Sequence, residues 1–256
     1  MLTDSLKNVI SIISAQKETI AEQSDSIQMI ENKKRQLEDT ITKIRIKQDL
    51  RTLNVNGIDV SRHQGKIDWE CLSTECEKIK FVYCKATEGS NSVDPMYQIN
   101  ISNARKNGLK AGSFHFLSTK SSMINQVDNF IKTIDLNQQD LIPVVDIENT
   151  GKWTSQQFQD SVLLFLNLLE RQIGVKPMIY TYENFYKKYF SSPLFSDYPI
   201  WIAKYSTNPP SIGRKWILWQ FTEHAYLDCI GSYGVVDANR FNEKASLNNI
   251  LYRLNE

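Results

Sequence analysis

Residues 141–151, LIPVVDIENTG, combine the pattern of a buried strand with two carboxylates at its end. Five apolar residues run directly into Asp146 and Glu148, which are separated only by Ile147. Because alternate residues of a strand face the same side, both carboxylates point the same way, roughly 6.5 to 7 Å apart along the strand. A buried strand has no reason to end on Asp-x-Glu unless something at its tip uses the charges. This stretch therefore predicts a functional site at the end of a buried strand.

Similar β-rich runs recur from Val55 onward, separated by helical or loop segments. Together with residues 141–148 they make eight strand candidates. The other seven are VNGIDVS, KFVYCKATEG, KAGSFHFLS, KPMIYTY, YPIWIAKY, WILWQFT and GVVDANRF. Several connections are long enough for helices, and residues 154–174 place apolar side chains on one face as an amphipathic helix does. Apolar strands alternating with helices indicate parallel strands buried on both sides. We predict an α/β fold, a TIM-like (β/α) barrel that is irregular near LDCIGSYGVVDANRF, where helical character is low.

The first fifty residues differ, since they contain no Gly, no Pro and no aromatic residue. A seven-residue repeat places aliphatic side chains at ten of thirteen a and d positions. These positions are Leu2, Leu6, Val9, Ile13, Gln16, Ile20, Gln23, Ile27, Ile30, Lys34, Leu37, Ile41 and Ile44. The strict period of seven favours a coiled coil over the alternative, a lone helix folded back on the barrel. We predict a coiled-coil helix at residues 1–53, a barrel at 54–256, and a homo-oligomer through residues 2–50, a parallel trimer rather than a dimer.

Charge and cysteine content exclude several classes of protein. With 30 basic and 29 acidic side chains, the chain lacks the excess of positive charge that nucleic-acid binding needs. The four cysteines, Cys71, Cys76, Cys84 and Cys229, form no CxxC pair and have no histidine at zinc-ligand spacing. We therefore predict free and mostly buried thiols, with no metal and no cofactor.

The N-terminal sequence MLTDSLKNVISIISAQKE lacks the charged start and unbroken apolar core of a secretory signal. No stretch approaches the roughly 20 apolar residues that span a membrane. The sequence predicts neither a signal peptide nor a membrane span.

In (β/α) barrels the active site lies at the C-terminal ends of the strands. Besides Asp146 and Glu148, the side chains predicted there are Asp59, Lys85, Glu88, His115, Tyr180, Tyr182, Lys204, Tyr205, Trp219, Gln220 and Asp237. Crowding raises the pKa of at least one of these carboxyls, so that it can stay protonated. Such a set suits glycoside hydrolysis, in which one carboxyl protonates the leaving oxygen and another supports the cationic sugar. Binding of a divalent cation is the less favoured alternative, because no histidine or phosphate-binding loop accompanies the pair.

Several of these side chains have an equally plain structural explanation. His115 is as well explained by a structural hydrogen bond as by substrate binding. Lys85 and Glu88 are better explained as partners of each other or of cleft carboxylates. Gln64 and Gln220 either contact sugar or brace a loop. The aromatic residues near the strand ends include sugar-binding walls, but half or more are expected to be core residues.

Nine motifs, in this order, resemble glycoside hydrolase family 25, the Chalaropsis-type lysozymes or N-acetylmuramidases. They are GIDVSRHQGKIDW, KATEG, DP at residues 94–95, GSFHF, PVVDIE, IYTY, WIAKY, LWQF and VDANRF. The resemblance covers roughly residues 56–242. Departures from the family pattern are Arg62-His63 in the opening motif and Phe114 where tyrosine is common, and neither alters a candidate carboxyl.

The resemblance implies cleavage of the β-1,4 bond between N-acetylmuramic acid and N-acetylglucosamine in peptidoglycan. It assigns the general acid to Glu148. It also implies that Asp146 either orients the substrate's N-acetyl group or stabilises the developing charge, and that Asp59 and Asp237 support the cleft floor. Both inverting and substrate-assisted retaining mechanisms stay open.

An N-terminal coiled coil that oligomerises, in a chain without an export signal, suits a lysozyme built into a phage tail or a similar particle. The second context is a cytoplasmic endolysin that reaches the bacterial wall through a membrane pore. Two other functions are alternatives: a glycan-binding structural part without catalysis, and a chitin-active hydrolase on the same barrel.

Overall fold

In the computed structural model, which describes residues 2–46, 49–231 and 233–253, the chain divides into two units, 1–47 and 48–256. The first unit is helix α1, Leu2–Ile46. Its heptad side chains at Leu6, Val9, Ile13, Ile20, Ile27, Ile30 and Leu37 are 47% to 64% exposed. Between Leu6 and Leu37 the helix thus presents an exposed apolar seam. Among the described residues, no helix is both long and apolar enough to cross a membrane.

The second unit is a closed barrel, which confirms the predicted fold class. Its strands are β1 Gly57–Val60, β2 Phe81–Glu88, β3 Ser92–Val93, β4 Lys110–Phe116, β5 Val144–Asp146, β6 Met178–Tyr182, β7 Ile200–Ala203, β8 Leu218–Tyr226 and β9 Val235–Phe241. The order is β1-β9-β8-β7-β6-β5-β4-β2, and pairing of β1 with β2 closes the circle of eight. The short β3 pairs only with β2, as an antiparallel extension.

Five helices accompany the strands. They are α2 Trp69–Glu75, α3 Tyr97–Lys106, α4 Met123–Thr133, α5 Ser155–Ile173 and α6 Glu183–Tyr189. Helix α5 begins at a capping box, in which Thr154 Oγ1 accepts from the backbone of Gln157, and it ends at Gly174 with φ 74°. Its buried face includes Phe158, Phe165 and Leu169, as the periodicity predicts.

The expectation that all strands run parallel is wrong for the last one. Strand β9 is antiparallel to both of its neighbours, β8 and β1. Only residues 227–234 connect β8 to β9, and a parallel connection needs a crossover of a dozen or more residues. As a result Asp237 lies near the start of its strand, yet on the same rim as the ends of the parallel strands. The register places it directly opposite Asp59 of β1.

The barrel interior is filled below the rim by a layer of large side chains. Its buried members include Phe81, Tyr83, Val144, Met178, Tyr180, Trp201 and Leu218. The layer is tight enough that a Cβ at Gly112 would lie 2.7 Å from both Leu141 and Tyr83. Because side chains alternate along each strand, the next inward residue of β5 after Val144 is Asp146. The packed layer therefore forms the floor on which the polar rim stands.

The prediction of four free thiols is wrong for two of them. Cys71 of α2 is bonded to Cys229 of the β8–β9 loop across 158 residues, whereas Cys76 and Cys84 are free and buried. The loop lies against the segment before α2, where the Asp68 amide donates to the Cys229 carbonyl at 2.9 Å. Cysteine spacing carries no trace of this pairing, because it depends on which loops the closed barrel brings together.

Candidate active site

A cleft of about 190 Å³ opens at the barrel rim, where the functional side chains were predicted from the sequence. The residues that line it are Asp59, Ser61, His63, Lys85, Phe114, Phe116, Val144, Asp146, Glu148, Tyr180, Tyr182, Trp201, Tyr205, Gln220, Glu223 and Asp237. Five of these are carboxylates, and Lys85 is the only lysine or arginine among them. The cleft is thus strongly acidic.

Asp146 and Glu148 share the cleft because the backbone stays extended past the end of β5. The Ile147 amide donates to the Tyr180 carbonyl at 3.0 Å, and Thr181 Oγ1 donates to the Ile147 carbonyl at 2.6 Å. Asp146 is buried, 8% exposed, whereas Glu148 is half-buried. Asp146 Oδ1 has no hydrogen-bond partner within the described parts of the chain. The pair therefore presents one deep carboxyl and one that is open to a ligand.

Burial raises the pKa of both carboxyls of this pair. Burial raises the pKa of Asp146 well above its ordinary value, and the Glu148 charge raises it further. Burial also raises the pKa of Glu148, while hydrogen bonding from Asp146 and the charge of Lys85 oppose the rise. A buried and a half-buried carboxylate on the same side of one strand cannot both ionise at low cost, so the pair titrates as a unit. The raised pKa of both carboxyls therefore favours a form of the pair that keeps a proton.

Asp59 is held at the opposite wall by amide donors. Gln220 Nε2 lies 3.1 Å from each of its oxygens, and Asn239 Nδ2 donates to Oδ2 at 2.7 Å. The Gln220 amide is oriented in turn by Tyr180 and Tyr205, whose hydroxyls donate to its Oε1 at 2.8 and 3.0 Å. With its acceptor fixed by two phenols, Gln220 can present only its NH₂ group to Asp59.

A second carboxyl pair forms where Asp237 of β9 faces Asp59 of β1. Burial raises the pKa of Asp59 to about 6, although the hydrogen bonds from Asn239, Gln220 and Asp237 oppose the rise. Burial and the Asp59 charge raise the pKa of Asp237 well above its ordinary value. Burial and mutual repulsion therefore disfavour ionisation of both carboxyls at once. Trp201 Nε1 holds Asn239 in place by donating to its Oδ1 at 2.9 Å.

Aromatic side chains form the exposed walls. The rings of Tyr182 and Tyr205 meet at 85° with centroids 6.2 Å apart, and the two residues are 37% and 43% exposed. On the other side, Lys85 lies over the Phe116 ring at 4.8 Å and forms a 2.7 Å ion pair with Glu88. Flat apolar surfaces beside hydrogen-bonding groups suit sugar rings, which have an apolar face and a polar edge.

Five residues predicted for the site do not line the cleft. One of them, Lys204, forms an ion pair with Glu183 Oε2 at 2.9 Å instead. His115 is buried on the opposite face of β4, between Thr87 Oγ1 at 2.7 Å and Gln126 Oε1 at 3.2 Å. It stacks on Phe165, and burial lowers its pKa to about 4, so it is a neutral structural residue. The structural explanation of His115 is the right one.

The other three brace their surroundings. Trp219 is buried on the outer face of β8 and donates from Nε1 to the Lys204 carbonyl at 2.7 Å. Gln64 Oε1 accepts from the Ser61 amide at 2.8 Å and so caps the turn that follows β1. Glu88 is the ion-pair partner of Lys85. None of the three presents a group to the cleft.

The sequence analysis missed four polar residues of the cleft or of its hydrogen-bond network. Asn239 stands two residues beyond Asp237 on the same strand face, so strand alternation alone could have identified it. Ser61 and His63 directly follow β1, within the predicted rim. Glu223 was missed because β8 was expected to end at residue 222, whereas it continues through bulges to 226.

The sequence profile of glycosyl hydrolases family 25 matches residues 58–230. The chain belongs to glycosyl hydrolase family 25. It is accordingly a glycoside hydrolase, and the carboxyl-rich cleft agrees with that chemistry. In the described residues no group of three or more His, Cys, Asp or Glu side chains could hold a metal ion.

Three relatives illustrate the likeness. The uncharacterized protein YegX of Escherichia coli K12 is 35% identical over 192 residues, covering 73% of this chain and 70% of YegX. The autolytic lysozyme of Clostridium acetobutylicum is 30% identical, over 74% of this chain and 56% of that enzyme. A solved family 25 glycosyl hydrolase from Bacillus anthracis is 31% identical, covers 75% of this chain and 91% of its own, and superposes with a TM-score of 0.64. In each case the match extends over about three quarters of this chain.

Proposed function

We propose that this family 25 enzyme is an N-acetylmuramidase that cleaves the β-1,4 bond between N-acetylmuramic acid and N-acetylglucosamine in peptidoglycan. The observation that carries the proposal is the pair of a buried Asp146 and a half-buried Glu148, both of which line a cleft with aromatic walls. The lysozymes among its relatives support the choice of peptidoglycan. Bacterial cell wall is then the partner on which the enzyme acts.

Each member of the pair has a distinct part in this mechanism. Glu148, the more exposed carboxyl, donates the shared proton to the glycosidic oxygen as the bond to the anomeric carbon breaks, and the bonding electrons leave with that oxygen. Asp146 Oδ1, which is buried and unpartnered in the described structure, accepts the N–H of the sugar's acetamide group. The oriented acetamide and the negative cleft stabilise the cationic anomeric carbon until water completes the reaction. Asp59 and Asp237 form the floor beneath the sugar.

The test is release of reducing sugar from purified peptidoglycan, followed by borohydride reduction and mass spectrometry of the products. We expect every new reducing end to be muramic acid. New reducing ends on glucosamine, or faster turnover of chitin oligomers, would instead identify a different glycan hydrolase. A folded protein that binds peptidoglycan without cleaving it would support a non-catalytic structural part.

We also propose that α1 joins three copies in a parallel coiled coil and attaches the enzyme to a larger particle such as a phage tail. The supporting observation is the exposed aliphatic seam of the helix, which repeats every seven residues. Exposed apolar stripes of this length favour association, because they leave a large apolar area in water. In this arrangement the enzyme acts on the wall from the particle. An endolysin kept in the cytoplasm until release would not need α1 to form an oligomer.

We expect the full chain to have three chain masses by light scattering, and Ile20→Asp with Ile27→Asp to reduce it to one. Two aspartates in the seam bury charge at every copy, which disrupts association. The matched control is Ser11→Asp with Asn32→Asp, which adds the same charge on the side of the helix opposite the seam. A wild-type monomer at micromolar concentration would rule out this mode of assembly.

A further inference from the structure

A second cavity, of about 450 Å³, lies beside the catalytic cleft on the outer side of β8 and β9. The two cavities are adjoining, because Tyr205 and Glu223 line both. Arg240 of β9 lies in this second cavity and has no part in the mechanism above. We call it the Arg240 pocket.

The guanidinium of Arg240 is fixed in place by aromatic rings. Its Cζ lies 3.8 Å from the ring centre of Phe221 and 4.4 Å from that of Trp219. Strand alternation explains the cluster, since these two residues of β8 and Arg240 of β9 all face outward. Contacts with ring faces hold a guanidinium plane while leaving its N–H edge free.

The same guanidinium lacks an anionic partner. Its Nε is buried and has no hydrogen-bond partner, and within residues 49–231 and 233–253 no carboxylate oxygen lies within 4.0 Å of its nitrogens. Burial lowers the pKa of Arg240. Other arginines differ: Arg105 pairs with Asp140 at 3.0 Å, and Arg214 donates to two backbone carbonyls. An oriented, partly buried cation with unused donors is a preformed anion site.

We propose that Arg240 binds a carboxylate of the peptide stem attached to muramic acid while the glycan lies in the adjoining cleft. The planar fork of the guanidinium matches a carboxylate in two parallel hydrogen bonds. The exposed Glu223 stands at the shared rim, next to His224 Nε2 at 3.6 Å, where solvent screens its charge. This inference rests on the proposed muramidase function and extends it, because it makes the enzyme favour glycan that still carries its peptides.

The test compares kcat/KM on stem-bearing peptidoglycan with kcat/KM on the same glycan after an amidase has removed the peptides. We expect Arg240→Gln to lower the ratio of the two values about tenfold to a hundredfold, as loss of a charged hydrogen-bonded pair does. Arg240→Lys, which keeps the charge but loses the fork, should lower it less. The control Lys244→Gln removes one charge from an exposed site outside both cavities and should leave the ratio unchanged.

Direct binding gives a readout that does not depend on turnover. The probe is muramyl dipeptide with a free carboxylate, titrated into the full chain while the Trp219 indole N–H resonance is followed by NMR. We expect that resonance to shift with the probe, but not with its carboxyl-amidated analogue or in Arg240→Gln.

An unchanged kcat/KM ratio in a folded and active Arg240→Gln variant would overturn the inference. Equal losses on both substrates would also do so, since the amidase frees a lactyl carboxylate on the glycan and Arg240 would then not distinguish it from a carboxylate of the peptide. A wild type inactive on both substrates would instead contradict the proposed function.

Discussion

Glu148→Gln is expected to reduce peptidoglycan cleavage about 10²- to 10⁴-fold while the enzyme still binds its substrate. The amide has the shape of the acid but cannot give a proton to the leaving oxygen, so only the chemical step is lost. Release of reducing sugar and binding to insoluble peptidoglycan measure the two effects separately. In the wild type, activity should also fall as pH rises, because the proton that Glu148 delivers is lost above the raised pKa of the pair.

The control for this substitution is Glu243→Gln, the same change at an exposed carboxylate outside the cleft. It should cleave at the wild-type rate, within a factor of about two, as surface substitutions away from a site normally do. Matching circular dichroism spectra of both variants would establish that they fold. If folded Glu148→Gln kept more than a tenth of the wild-type rate, another group would have to be the acid. Asp146, which shares the proton, would then be the first candidate.

The placement of Asp146 and Glu148 in one cleft was predictable because their relative geometry is local. Alternation along one strand places Asp146 and Glu148 on one side, whatever the rest of the chain does. The same rule shows where the prediction went wrong. Phe114 and Phe116 line the cleft, so His115 between them must face outward; likewise Gln220 faces inward and Trp219 outward. Neighbouring residues of a strand cannot both reach one site, and a strict use of alternation would have excluded one of each pair.

The remaining errors concern contacts between distant parts of the chain. The direction of β9, the Cys71–Cys229 bond and the extension of β8 to Glu223 all depend on how the β8–β9 segment returns to close the barrel. Hydrophobic pattern gives the existence of such strands but not the direction of the last one. The shortness of the 227–234 connection was the available signal, because it is too short for a parallel crossover.

Asp146→Asn is expected to lower kcat about a hundredfold while making the folded protein more stable above neutral pH. The amide removes the shared proton, and its NH₂ group competes with the acetamide N–H of the sugar, so the reaction loses its orientation. Reducing-sugar release measures this loss. For stability, burial and the Glu148 charge hold the pKa of Asp146 well above that of the unfolded chain. The folded state therefore keeps a proton that the unfolded state releases.

The sign of the pH effect follows from that proton. Wild-type stability is greatest below the unfolded pKa near 4 and declines as pH rises towards the raised folded pKa, by up to about 1.4 kcal/mol per pH unit for one proton. Asparagine has no such proton, so at pH 8 the free energy of unfolding of Asp146→Asn should exceed that of the wild type by about 1 to 3 kcal/mol. Urea unfolding at pH 5 and pH 8 measures the difference.

The control Asp140→Asn loses ion pairs with Arg105 and Lys110 and should gain stability at neither pH. A buried carboxylate kept for structure alone would resemble this control. Opposite changes in activity and stability at Asp146 would show that its burial serves catalysis at the expense of the fold.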